Sequence, residues 1–229
     1  MHILLTHGGW DGHTPKECAK LFDAALRDRG HTTSVTDTLD VYTDADAMAA
    51  ADVIVPIWTM SEITDDQWKG LDAAVHAGTG LAGFHGGVLD SFRQNVDYQW
   101  MIGAQWVAHP GDIIPEHRVT LTDRDHPITA GLDDFTLSDT EQYYCHVDPS
   151  NHVLATTTLD GGHGDTTRYP QPGSPTGPVT MPYAHIRHWG RGRVFAAYWG
   201  HTFKDFDVPE AKEIILRGIE WAGGAASAS

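Results

Sequence analysis

Val53-Ile54-Val55-Pro56-Ile57-Trp58 constrains the fold most, because it is apolar at every position rather than at every second one. A strand with one wet face alternates polar and apolar residues, whereas a continuous apolar run belongs in a sheet covered on both sides. Ile3-Leu4-Leu5 and Leu81-Ala82-Gly83-Phe84 are shorter runs of the same kind. Between the first run and the central one, Cys18, Leu21, Phe22, Ala25 and Leu26 recur at helical spacing. Thr14-Pro15-Lys16-Glu17 opens that helix with a capping-box pattern, and Gly30 closes it. After the central run, Thr64-Asp65-Asp66-Gln67 opens a second helix that carries Trp68, Leu71, Ala74 and Val75 to Gly78. Thr32–Val35 is β-prone and residues 44–51 read as a short helix. This β-α-β-α-β order with short links predicts an α/β fold with a doubly wound, mainly parallel sheet and helices on both faces.

The second half is less regular. Residues 98–104 read as helix, and Val119–Thr122 and Val153–Thr158 as strands. Gly161–Pro178 is rich in Gly and Pro and reads as a long loop. Met181–Trp189 and Arg193–Trp199 flank Gly190-Arg191-Gly192, a hairpin signature, and a last helix covers 209–222. No repeat or linker interrupts the pattern, so residues 1–222 read as a single domain and 223–229 as a flexible tail.

Charge and composition remove several classes of function. A formal net charge of −16 argues against nucleic acid as a partner and disfavours docking to anionic membranes. No stretch reaches the roughly 20 apolar residues of a spanning helix. Met1–Thr6 lacks a basic leader region and reads directly as a strand, and Cys18 and Cys145 are too few for a disulfide framework. A reducing cytoplasm is the expected compartment. Fifteen His and eight Trp, by contrast, are many for 229 residues. Imidazoles supply acid/base groups and metal ligands, and indoles supply flat apolar surfaces.

Ligands of open parallel sheets bind beyond the carboxyl ends of the strands. That rule selects His7, Trp10, Asp11 and His13 after the first strand, and Trp58 after the third. It selects His85 and Asp90 after the fourth, and Trp199 and His201 after the late hairpin. His7, His85 and His201 are expected to line one cleft, with Trp10, Asp11, Trp58 and Trp199 as substrate-binding neighbours. His109 follows an apolar stretch and joins them, whereas His126 before Pro127 reads as a turn. Glu141, in Asp139-Thr140-Glu141-Gln142-Tyr143, is the best carboxylate candidate, because the irregular half can fold over the strand ends. A carboxylate among imidazoles can orient a ring, act as a base or complete a metal site. The Gly-rich turn at 7–12 lacks dinucleotide spacing, and no phosphate-loop Lys-Ser/Thr pair occurs.

Gly83-Phe84-His85-Gly86-Gly87 has the spacing of the G-x-C-x-G elbow of class I glutamine amidotransferases, with histidine in place of the thiol. Tyr198-Trp199-Gly200-His201 resembles their Q-F-H-P-E segment, but Phe203 stands where the acid belongs. More specifically, the chain resembles the trehalose-utilisation (ThuA-like) family. The carrying segments are the elbow, 98–104, His109-Pro110-Gly111, 125–132, 139–144, 190–195, Gly200-His201-Thr202 and 218–222. The resemblance implies a flavodoxin or glutamine-amidotransferase-like scaffold and a role in carbohydrate use, near trehalose and 3-keto disaccharides. The partner so implied is a small carbohydrate, and a homo-oligomer is compatible with the sequence.

Without a thiol at the elbow, acyl transfer through a thioester is excluded. His85 is then an acid or base, a metal ligand or a structural residue, with Gly86 and Gly87 expected to leave its side chain uncrowded. His85, His201 and Glu141 are the expected catalytic set, and a divalent metal such as zinc is the cofactor such a set would take. The alternative is a non-catalytic binding or regulatory protein that kept the scaffold.

Overall fold

The computed structural model describes residues 1–160 and 178–224. The Gly- and Pro-rich loop, except Pro178, and the last five residues of the tail lie outside them. In chain order the elements are β1 (His2–Gly9), α1 (Pro15–Asp28), β2 (Thr32–Thr36), α2 (Ala45–Ala50), β3 (Val53–Thr59), α3 (Asp65–Ala77) and β4 (Gly80–Phe84). There follow α4 (Gly86–Leu89), α5 (Val96–Ile102), β5 (Ala104–Ala108), β6 (Ile113–Leu121), β7 (Phe135–Glu141) and β8 (Tyr144–Val147). β9 (His152–Leu159), β10 (Val179–Trp189), β11 (Gly192–Ala197) and α6 (Pro209–Ala222) complete the series.

Nine strands form one mixed sheet in the order β2-β1-β3-β4-β11-β10-β9-β6-β7, and β5 and β8 pair separately. From β2 to β11 all ladders are parallel, and from β11 to β7 all are antiparallel. The parallel half is the doubly wound core read from the sequence. β3 is buried at almost every position, as its apolar run requires. α1 and α6 pack side by side, and α6 lies over β4 and β11. There Phe195 fills the space that Gly218 leaves, since a Cβ at 218 would lie 2.3 Å from its ring. Gly190-Arg191 is the two-residue link of the β10–β11 hairpin.

One of the two capping boxes forms. Thr64 accepts from the Gln67 backbone N–H while the Gln67 side chain reaches back to the Thr64 N–H. Thr14 does not cap α1: it is left-handed, at φ +48°. Its hydroxyl instead accepts from the Phe203 N–H at 3.0 Å, tying the start of α1 to the loop after β11.

The antiparallel wing matters most for the site. β7 is the sheet's edge, five strands away from β4 in the order. A flat sheet would separate the two by about 24 Å, at roughly 4.8 Å per step. Yet Glu141 at the end of β7 lies 3.2 Å from His85 just after β4. The wing therefore curls round until its edge meets the C-terminal ends of the parallel strands.

Candidate metal centre

Four polar side chains from distant parts of the chain, His13, His85, Glu141 and His201, meet under that curl. Their ligand atoms all lie within 4.8 Å of one another. His85 occupies the turn between β4 and α4 with φ +48° and ψ −141°. Such a conformation costs a non-glycine residue about 1–3 kcal/mol and persists only where its surroundings enforce it. Here the His85 N–H donates to the Ala197 carbonyl at 2.8 Å. Its ring stacks on Tyr143 with centroids 3.7 Å apart. The side chain is thus 1% exposed, not the uncrowded cleft residue expected from the sequence. Gly86 is required for a different reason than turning the chain: a Cβ there would lie 2.5 Å from the His13 ring.

His13 comes from a short 3-10 turn, Asp11–His13, and its Nδ1 meets the Thr59 hydroxyl at 3.0 Å. His201 is held through its backbone. Its N–H and that of Gly200 donate to Asp205 Oδ2 at 2.9 and 3.1 Å, and the same oxygen accepts from the Thr140 hydroxyl at 2.9 Å. One buried carboxylate oxygen therefore joins the His201 loop to the strand that carries Glu141.

Glu141 Oε2 is the common point. It lies 3.2 Å from His85 Nε2, 3.3 Å from His201 Nδ1 and 3.8 Å from His13 Nε2. The Tyr198 carbonyl sits 3.0 Å from His85 Nδ1, and a carbonyl only accepts, so Nδ1 carries the proton. Burial pushes the His85 pKa down to about 3, with repulsion from His13 and His201 adding to it and Glu141 opposing it. His85 is therefore neutral and its Nε2 presents a lone pair. Against the upward push of burial, the imidazoles of His13, His201 and His85 hold the Glu141 carboxyl well below the usual carboxylate range, so it is ionised. Two acceptors thus face each other at hydrogen-bond distance, and His201 Nδ1, also buried, receives no directed hydrogen bond.

A cation at the focus would satisfy these atoms. Donors about 2.0–2.1 Å from a tetrahedral zinc stand roughly 3.3 Å apart, close to the separations around Glu141 Oε2. The second ring nitrogens of His85 and His13 already hold the Tyr198 carbonyl and the Thr59 hydroxyl, the outer contacts that orient metal-bound imidazoles.

A cavity of roughly 20 Å³ opens beside the cluster, lined among others by Trp10, Met60, Arg93, Trp106, His109 and Tyr143. Trp10 meets the His13 ring edge-on and is 42% exposed at the mouth. Arg93 forms a two-point ion pair with Asp90, with Nη2 2.8 Å from Oδ2, and lies over the Trp106 ring.

Of the residues singled out in the sequence, Trp10, His13, His85, Asp90, His109, Glu141 and His201 converge here. His7 does not: Gly8 and Gly9 continue β1 beside Trp58 and Thr59, so His7 is still inside the strand and His13 takes its place. Asp11 is exposed on the turn and is absent from the cluster. Trp58 turns its N–H to the Ser61 hydroxyl at 2.7 Å and covers Gly8. Trp199 is a core residue, 0% exposed, with its N–H on the Ala211 carbonyl. Arg93, Trp106 and Tyr143 were not singled out in the sequence: Arg93 is held by Asp90 after β4, Trp106 comes from the separate β5–β8 pair, and Tyr143 follows β7 at the curled edge. Cys18 and Cys145 are both buried, as expected of core thiols.

The family model for ThuA, described as trehalose utilisation, matches residues 2–222. Among solved structures, a ThuA-like protein from Bacteroides uniformis superposes with TM-score 0.74 at 15% identity, covering 96% of this chain and 89% of that one. A ThuA-like protein from Parabacteroides merdae gives 0.74 at 14%, covering 100% and 91%. A cytoplasmic protein from Salmonella typhimurium gives 0.61 at 14%, covering 96% and 98%. At these identities the structures speak for the fold alone. None of the curated proteins searched matches the sequence. No helix among the described residues is long and apolar enough to cross a membrane.

Proposed function

The chain belongs to the trehalose-utilisation family, ThuA, and on that footing we propose that it is a cytoplasmic enzyme that handles a carbohydrate at a divalent-metal centre held by His13, His85, Glu141 and His201. The observation that carries this reading is the convergence of His13 Nε2, His85 Nε2 and His201 Nδ1 on Glu141 Oε2, with all four ligand atoms within 4.8 Å of one another. With the His85 Nδ1–H donating to the Tyr198 carbonyl and burial disfavouring a second proton on the ring, a cation at the focus would make the contact of His85 with Glu141 favourable. Three imidazoles and a carboxylate suit zinc or a similar borderline ion.

Such an ion, already holding four protein ligands, would have to take a carbonyl or hydroxyl oxygen as a fifth ligand to supply Lewis acidity toward it. The chain's own residues do the rest. Tyr143 behind His85 fixes the ring that faces the focus. Trp10 and Trp106 offer aromatic walls to the C–H faces of a sugar ring. The Arg93–Asp90 pair beside them offers polar groups to hydroxyls. The roughly 20 Å³ cavity admits little more than the reacting end of a ligand, so of a keto-disaccharide of the trehalose type the carbonyl, the group an electrophile activates, would enter while the rings stay at the mouth beside Trp10.

The test is metal content and sugar binding together. Zinc-loaded protein should retain about one ion after desalting, and Glu141→Gln should weaken retention by about 100-fold or more. Trehalose and its 3-keto form should then be titrated into loaded and stripped protein by calorimetry, with binding of the keto form expected only when loaded. Stripped protein that binds the sugar as well as loaded protein does would defeat the proposal.

A further inference from the structure

Glu141 has a second oxygen, and it faces a second group. Oε1 lies 3.6 Å from His109 Nδ1, and the same nitrogen lies 3.4 Å from Asp112 Oδ1. The three ligand atoms lie within 4.8 Å of one another. His109 and Glu141 are 6% and 4% exposed, while Asp112 opens to solvent. Pro110 and Gly111 set this geometry. Gly111 has φ +91° and Asp112 φ +59°, and the Asp112 N–H closes back on the His109 carbonyl at 3.0 Å. That tight turn puts the Asp112 carboxylate on the same side as the His109 ring.

The separations discriminate between two explanations. Charge-assisted hydrogen bonds between an imidazole and a carboxylate are about 2.7–2.9 Å long. Both contacts of His109 Nδ1 are longer than that by half an ångström or more. The 3.4 Å contact stands at the upper end of the roughly 3.0–3.4 Å between donors that share one ion about 2.1 Å away, and the 3.6 Å contact just beyond it.

Resting on the reading of the first centre, we infer that His109, Asp112 and Glu141 hold a second, weaker divalent cation, with Glu141 bridging the two ions through its two oxygens. A carboxylate shared in this way sets paired ions about 3.5–4 Å apart. Asp112 is the exposed member of a three-ligand set, which makes this position the more labile and the more open to substrate. Two ions side by side at the floor of an aromatic-walled cavity select a ligand with two adjacent oxygens. A hydroxy-ketone, the grouping created when one hydroxyl of a sugar ring is oxidised beside another, has that spacing. An isolated hydroxyl does not.

Manganese alone is the probe. Equilibrium dialysis of the full chain should reach about two ions, one site tight and one at least about tenfold weaker, with an exchange-coupled electron paramagnetic resonance spectrum at saturation. Asp112→Asn, an exposed substitution, should reduce this to about one ion with the six-line spectrum of isolated manganese, and His109→Gln should do the same. Wild-type protein that binds one ion, unaffected by Asp112→Asn, would overturn the pair and leave the first centre standing. Loss of all manganese in Asp112→Asn would also overturn it, since Asp112 would then belong to the first centre. Wild-type protein that binds no ion would remove both.

Discussion

Replacing Asp205 by Ala should damage the protein out of proportion to its distance from any substrate. The carboxylate is 7% exposed, and its Oδ2 accepts from the backbone N–H groups of Gly200 and His201 and from the Thr140 hydroxyl. The hydroxyl can rotate to another acceptor, but the two amides cannot. Hydrogen bonds to a charged acceptor contribute about 1.5–3 kcal/mol each, and orphaned buried donors cost about 1–3 kcal/mol each. Removing a buried carboxylate returns part of that loss, because burial itself opposes its ionisation. The net expectation for Asp205→Ala is a loss of about 3–5 kcal/mol, which in a chain of this size lowers Tm by roughly 6–20 °C. Asp205→Asn keeps one acceptor oxygen and should lose about 1–2 kcal/mol. The position of His201 depends on the same bonds, so zinc affinity should also fall, by about 10–100-fold. Urea unfolding of the stripped protein and calorimetric zinc titration measure the two effects separately. If Asp205→Ala melts within about 2 °C of the parent and binds zinc equally well, the argument that one oxygen locks the two segments together is wrong.

Gly86→Ala should leave the fold intact but displace His13, because its Cβ would come within 2.5 Å of that ring and 2.9 Å of Thr59 Cγ2. A loss of zinc affinity of about tenfold or more, with unchanged far-ultraviolet circular dichroism, is expected; unchanged affinity would mean that the ring moves without consequence. Thiol reagents should have no effect on the native protein, since burial pushes Cys18 up to about 12 and raises Cys145 well above its ordinary value. Rapid labelling of either thiol by a chromogenic disulfide in the folded state would contradict the buried assignment.

The parts of the fold legible in the sequence were those whose neighbours are close along the chain. β3 and α3 could be read because an unbroken apolar run and a complete capping box are local signals, and both are present as read. The elbow was legible because its glycines stand at fixed spacing around His85. The pairing of His13 rather than His7 with it was not, because Gly8 and Gly9 look like a turn yet continue the strand. Thr14 misled for a related reason: its hydroxyl found a partner 189 positions away, at Phe203, in place of the local one. Trp199 looked like a strand-end platform, but the loop after β11 turns its ring into the core. Glu141 could be guessed from its residue type, whereas its placement depends on a curl that no local pattern encodes.

That curl would make an ion bound at the centre a rivet between two halves of one sheet. His13 and His85 belong to the parallel half and Glu141 to the far edge of the wing, so an ion bound at their focus would clamp the wing shut. Loading should then slow the opening of β6 and β7 more than it slows opening of β1 or β3. Amide hydrogen exchange would read this as protection gained at the sheet's edge, far from most of the ligands along the chain. The site would act as the last fastener of the fold, and an empty site would leave the wing the first part to come loose.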